Sequence, residues 1–298
     1  MSQAQRILPN SQETPFRSTE PGLFKRLVRL PGQHPIGMIG VVIITLVVLV
    51  AVFAPFIAPY GPTAQVSKRL LDPSAQHLLG TDEIGRDVFS RIIFGSRVSL
   101  YVGIIAVTLA LSLGATTGII SGYMGGTFDN LVMRLVDLLF AFPGLVLAIV
   151  IAGLLGPSIS NTMIAIGIVY APQYARVSRS SVLSVKEELY IEAARTVGGR
   201  GTHIVIRHIL PNIVAPLIVL TTLSMSTAIL TEAALSFLGL GTQPPDPSWG
   251  AMLSTGRRYM EIAPWVAIFP GLAIMFAVLG FNLLGDGLRD ALDPRLRE

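Results

Sequence analysis

The side chains in this 298-residue chain that are able to do chemistry are few, and their spacing is unlike that of an enzyme. With no cysteine, disulfides, zinc–thiolate sites and cysteine nucleophiles are excluded. His34, His77, His203 and His208 stand at no ligand spacing with carboxylates, and no GxxxxGK[ST], GxSxG or HExxH is present. Asp82, Glu83 and Asp87 cluster in Leu79–Arg91 (LGTDEIGRDVFSR), but they lack the alternating oxygens and closing glutamate of a calcium loop. Thr81 with Asp82 reads instead as a helix N-cap, with Arg86 and Asp87 available for pairing and capping. Asp286, Asp290 and Asp293 recur at helical spacing, but Arg289 and Arg295 intervene and the set reads as a solvated face. Neither a catalytic centre nor a metal site is expected.

Two acids remain. Glu192 lies in Lys186–Asn212 (KEELYIEAARTVGGRGTHIVIRHILPN), a charged interruption between apolar stretches. Glu187 and Glu188 suit a helix start, and Tyr190, Ala193, Ala194 and Val197 make a small apolar face ringed by Glu188, Glu192 and Arg195. Gly198, Gly199 and Gly201 then break the helix. A second short piece, Ile204–Leu210, runs into Pro211, placed to begin the next helix. The result is a knob on which Glu192 offers a charge and Ala193 and Ala194 permit close approach. Spacing alone favours an ordinary interfacial helix covering the ends of the spans. Glu232 lies about 28 Å along an apolar helix that starts at Ile213. Three roles suit it: lining a solute route, contacting an amino group, or hydrogen-bonding a neighbouring helix. Asn282 presents the same choice.

The elements around these residues are membrane spans. Hydrophobic residues make up 51% of the chain and charged residues 13%, with a mean hydropathy of +0.64. Six spans are expected: Ile36–Tyr60, Val98–Tyr123, Leu131–Leu155, Asn161–Ser178, Ile213–Leu238 and Pro264–Leu284, each near the 20 or so residues a bilayer requires. Gly156-Pro157-Ser158 divides the third from the fourth, and Pro143 and Pro172 mark bending points. Small residues in the second span (Gly103, Ala106, Gly114, Ala115, Gly118) suit close packing. Arg134 and Asp137, three apart, are placed to pair. Pro244, Pro245 and Pro247 enforce an extended turn, Ser248–Tyr259 reads as a short external helix, and Trp249 and Trp265 suit the membrane boundary. The chain thus divides into a tail (1–35, with a basic turn at Leu23–Leu30), a first span (36–60), an external loop (61–97), a five-span core (98–284) holding the 186–212 loop, and a second tail (285–298). Of the Lys and Arg residues, 15 fall on the side of the termini and the knob and 7 on the other, which puts both termini in the cytoplasm. The net charge of +4 is spread between spans rather than gathered in a nucleic-acid patch.

Glu192-Ala193-Ala194, Gly198 after three intervening residues, and Leu210-Pro211 resemble the EAA loop of ABC-importer permease subunits, with His208 where the general pattern has isoleucine. Leu79–Arg91 and Phe237–Gly250 (FLGLGTQPPDPSWG) are similar to signatures of the dipeptide/oligopeptide branch, whose "C"-type permease the chain resembles from about Pro35 onward. The resemblance implies an all-α polytopic membrane protein with the type I importer fold and six transmembrane helices, in a bacterial inner membrane. It also implies a second permease subunit, two cytoplasmic ATPases that hold ATP and magnesium, and an external solute-binding protein docking near a scoop-like element at Ser248–Tyr259. No catalysis and no cofactor are expected in this chain. Glu192 would meet a basic residue of the ATPase, Ala193 and Ala194 would permit close approach, and Gly198 would make the corner; Arg195, Gly199, Leu210 and Pro211 belong to the same loop. Related subunits carry dipeptides, longer peptides, glutathione, opines, sugars or nickel complexes. An ion-coupled carrier would instead call for inverted repeats and mid-depth acids, and neither stands out.

Overall fold

The computed structural model describes residues 35–292, so most of the 1–35 tail, its Leu23–Leu30 turn and residues 293–298 lie outside the described part. Its helices are α1 (Pro35–Val52), a single turn α2 (Ala54–Ile57), α3 (Val88–Met124), α4 (Gly126–Phe140), α5 (Gly144–Leu155), α6 (Ile159–Val185), α7 (Leu189–Thr196), α8 (Gly201–Ile204), α9 (Leu210–Phe237), α10 (Trp249–Gly256) and α11 (Trp265–Leu292). No strand forms among the described residues; two isolated bridges, Gln65 to Arg86 and Thr81 to Asp87, stitch the connection before α3.

Three of these helices are long and apolar enough to cross a membrane: α3, the continuous run through α8 and α9, and α11. The pair α4 and α5 makes a fourth if it is counted as one bent span. α1 is apolar but shorter, and α6, with Asn161, Gln173, Arg176 and Arg179, is too polar to join them.

The centre of the bundle is the packing of α3 on α6. Gly114 and Gly118 lie one turn apart on α3, where α6 comes so near that a Cβ at Gly114 would sit 2.6 Å from the Tyr174 Cβ. A Cβ at Gly118 would sit 2.9 Å from both the Ala175 carbonyl carbon and the Ser178 Cβ. The small residues singled out in the second span thus bring two backbones together, the packing available where lipid removes any hydrophobic drive between helices. Around this seam Tyr174, Ile166, Ile213 and Ile229 are fully buried, α1 lies along α11, and α9 packs against α3 and α11.

Four expectations need correction. First, α3 starts ten residues before Val98, because the N-cap is Asp87 rather than Thr81-Asp82: Asp87 Oδ2 accepts from the Ser90 amide (2.8 Å) and hydroxyl (2.7 Å). Thr81 instead accepts from the Leu71 amide and donates to the Lys68 carbonyl. Second, Leu131–Leu155 is not one span bent at Pro143 but two separate helices. The chain breaks at 141–143 and turns by 90°, since Pro143 has no N–H to continue α4 and stands where α5 begins. Third, Pro211 does not open a new helix. It lies inside a continuous helix from Gly201 to Phe237, and the turn before it, Val205–Ile209, is widened to π geometry. That widening accommodates a residue unable to bond back to the Arg207 carbonyl. Fourth, Asp137 pairs with Arg176 of α6 rather than with Arg134.

Candidate functional site

The knob is built on one buried anchor. Ile191 of α7 is fully covered, as are Ile204, Ile209 and Ile213 at the base of α8 and α9, and all four belong to the central apolar core. With Ile191 turned inward, the small apolar set at helical spacing is turned mostly outward. Tyr190 and Ala193 are exposed, Ala194 is half-buried and Val197 is 86% exposed. Leu189 (81% exposed) joins them, so Glu192 and Arg195 stand among uncovered apolar side chains at the tip. Glu187 and Glu188 precede α7, with Glu188 at its N-cap position and no side-chain cap bond formed there.

The corner after α7 is a Schellman motif. The Gly198 amide donates to the Arg195 carbonyl and the Gly199 amide to the Ala194 carbonyl, both at 2.9 Å, with Gly198 at φ +85°. A Cβ at Gly198 would meet nothing within 4 Å, so only its backbone angle demands glycine. On the returning helical limb of the knob Leu210 and Pro211 are exposed, and Asn212 Nδ2 donates to the His208 carbonyl (2.6 Å) and the Tyr190 hydroxyl (3.2 Å). The His208 ring lies 6.4 Å from Tyr190 and 5.9 Å from His203, so histidine here closes a small aromatic group beneath the tip. Burial first, then the Glu188 carboxylate, pushes the Tyr190 phenol above its ordinary value.

The base of the knob is held by charges that sequence spacing did not single out. Arg179 of α6 donates from Nε (2.6 Å) and from a terminal nitrogen (2.5 Å) to Asp129 of α4, and the Ser121 hydroxyl of α3 also donates to Asp129. Lys186 Nζ reaches the Gly122 carbonyl at 3.2 Å. Three helix ends are thereby tied together just before α7. Asp129 and Arg179 are 50 positions apart, and only the close α3–α6 packing makes them neighbours. Asp129→Ala leaves Arg179 charged and about a third exposed, and is expected to cost about 2 kcal/mol, less than a fully buried pair would. Thermal unfolding of the detergent-solubilised protein measures this; an unchanged midpoint would remove the tie.

The other sequence candidates are placed apart from the knob. Glu232 is 1% exposed, and its carboxylate accepts from the Ser99 hydroxyl of α3 (3.2 Å) and the Ser236 hydroxyl (2.8 Å). Asn282 Oδ1 accepts from the Ser226 hydroxyl at 2.6 Å, joining α11 to α9. In the loop before α3, His77 Nδ1 lies 3.0 Å from Asp87 Oδ1, a contact between residues ten apart that the folded loop creates. Asp82 takes Arg86 at 2.6 Å and Arg91 at 3.5 Å, so these acids are spent on holding the loop over the start of α3. Trp249 donates to the Ile92 carbonyl (3.0 Å) and fixes α10 against the first turns of α3, and Trp265 donates to the Thr81 carbonyl (3.3 Å) and fixes α11 against the loop.

Residues 114–298 match a family described as binding-protein-dependent transport system inner membrane component, and residues 32–73 match the N-terminal TM domain of oligopeptide transport permease C. The chain is 47% identical over 291 residues to the dipeptide transport system permease protein DppC of Alkalihalophilus pseudofirmus, a match covering 97% of this chain and 95% of that one. It is 45% identical over 273 residues to DppC of Haemophilus influenzae, covering 89% and 92%. It is 44% identical over 293 residues to the glutathione transport system permease protein GsiD of Escherichia coli, covering 98% and 94%.

Proposed function

Because this chain belongs to the family of binding-protein-dependent transport system inner membrane components, we propose that it is the "C"-type permease subunit of an ATP-driven ABC importer for dipeptides. The observation that carries the coupling role is the knob: an eight-residue helix anchored by Ile191, with Leu189, Glu192 and Val197 uncovered at its tip. Apolar side chains exposed on a short cytoplasmic helix suit a partner's groove, and Glu192 among them suits a basic residue in it. That partner is the ATPase, which supplies the ATP and magnesium site. The other partners are a second permease and an external solute-binding protein. The importer reading takes six passes, through α1, α3, the bent pair α4–α5, α6, the run α8–α9, and α11. Both termini and the knob are then cytoplasmic, in agreement with the Lys/Arg asymmetry.

In this reading ATP closes the ATPase pair and the closure moves α7. The ties at Asp129, Arg179 and Lys186 carry that displacement into α3, α4 and α6 as a rigid-body shift between two states. The second reading keeps the architecture and changes the cargo to glutathione, and the identity to the Escherichia coli glutathione permease favours it. Both cargoes are short peptides.

Affinity purification of the tagged chain from native membranes in mild detergent is expected to bring down a P-loop ATPase and a second permease. Glu192→Lys is expected to lose the ATPase while keeping the permease, because it reverses the charge at the tip without touching the Ile191 anchor. Uptake of labelled dipeptide and glutathione by the reconstituted complex then decides between the cargoes. A chain that purifies alone and moves solute on an ion gradient would sink the importer reading.

A further inference from the structure

Asp137 of α4 and Arg176 of α6 form a 2.6 Å ion pair that stays half open, with side chains 60% and 49% exposed. The Arg176 guanidinium also lies 3.8 Å over the Phe140 ring. Arg176 stands about 14 Å from the inner end of α6, well inside that helix, and Asp137 meets it from the last turn of α4, next to the 141–143 break. Between Leu138 and Ala175 the chain carries no other charge. Gln173 and Ser180, three before and four after Arg176, are exposed on the same face of α6. Hydrocarbon is a poor neighbour for such a face, since a lipid-exposed ionised group costs several kcal/mol.

A second observation, independent of the charges, points the same way. The 141–143 break follows Phe140 directly, and all three of its residues are exposed. Irregular backbone does not face lipid within the hydrocarbon region; it is found where protein covers it or where it lines a water-filled cavity. The ion pair and the break share one neighbourhood, and water satisfies both.

We infer that this face of α4 and α6 is a wall of the solute path, and that the Asp137–Arg176 pair is a station on it for the charged ends of a short zwitterionic peptide. The inference rests on the importer reading and deepens it. Arg176 is held by Phe140 on one face and by Asp137 through one terminal nitrogen, which leaves further N–H donors for a carboxylate. As the peptide carboxylate takes Arg176, Asp137 is released to take the peptide ammonium. A solute with only one charged end would leave one member of the opened pair without a partner; a zwitterion satisfies both. When no solute is present the pair closes on itself.

The absence of cysteine allows a direct test, because Asp137→Cys, Arg176→Cys and Phe142→Cys each introduce the only thiol of the chain. Phe142→Cys probes the same wall without touching the pair. The full importer complex, reconstituted in liposomes, is treated with a charged, membrane-impermeant methanethiosulfonate, and labelling of this chain is read by mass. The expected result is labelling at all three positions, slowed severalfold when the binding protein loaded with dipeptide is present during ATP turnover. With the thiols absent, Arg176→Gln is expected to lower dipeptide uptake about tenfold at unchanged complex yield, the worth of one charge-assisted pairing. Wild-type import with all three positions resistant to the reagent would place the face against protein or lipid and overturn the inference. Labelling that dipeptide leaves unchanged would place the pair at headgroup level and overturn it equally. A wild-type complex that hydrolyses no ATP and imports no dipeptide is a different failure, that of the importer reading.

Discussion

Gly118→Leu is expected to remove most of the folded protein from the membrane, while Gly153→Ala leaves it intact or slightly more stable. The contrast follows from what a side chain would meet. At Gly118 the first carbon alone would stand 2.9 Å from the Ala175 carbonyl carbon and from the Ser178 Cβ, so α6 has to move before any larger group fits. Overpacking in a core that can adjust costs about 1–3 kcal/mol. Here much of the obstruction is backbone, and displacing α6 also draws Arg179 away from Asp129 and reopens the seam on which the bundle is centred. Even Gly118→Ala is expected to destabilise. Gly153, in the last turn of α5, has nothing within 4 Å of its would-be Cβ, and alanine there gains up to about 0.5–1 kcal/mol of helix propensity. Membrane-inserted yield and the thermal midpoint in detergent check both. Equal behaviour of the two substitutions would mean that the α3–α6 approach does not limit the fold.

The parts of this architecture that could be read from the chain are those with a local signal. Apolar runs marked the helices, the small residues of the second span marked its packing face, and three glycines marked the corner after Glu192. What could not be read depends on which helices touch. Arg134 was the nearest cation to Asp137 along the chain, but Arg176, 39 positions away, is its partner because α4 lies on α6. Asp129 gave no signal until α3, α4 and α6 met around it. Pro143 marked the bend at 141–143 but not its size, because a single proline in an all-apolar run allows a kinked or a fully broken helix and periodicity there carries no direction. Pro211 misled for a related reason: a proline suits a helix start and also a helix with a widened turn, and the residues before it do not distinguish the two. Ile191 was passed over because the small apolar set beside it matched helical spacing better. The fold uses Ile191 as the anchor and leaves Leu189 and the matching set outside.

Gly198→Pro is expected to abolish ATP-driven uptake while the protein remains in the membrane with its second permease bound. The corner asks two things of this residue: a φ of +85°, and an amide donor for the Arg195 carbonyl at 2.9 Å. Proline fails both, since its ring holds φ near −65° and it has no N–H. Alanine keeps the donor and meets open space, so it bears only the left-handed backbone cost of about 1–2 kcal/mol, and asparagine bears less. Uptake should therefore fall in the order glycine, asparagine, alanine, proline, a ranking that side-chain size or polarity does not produce. The spans should be insensitive to the series, because Ile191 and the Asp129–Arg179 tie lie on the membrane side of the corner and hold the base of the knob whatever its tip does. Loss of transport at constant yield and constant thermal midpoint is thus the signature of a coupling element, whereas parallel loss of all three would make the corner part of the folding core. Wild-type uptake by the proline variant would show that the angle of the knob carries nothing from the nucleotide to the spans.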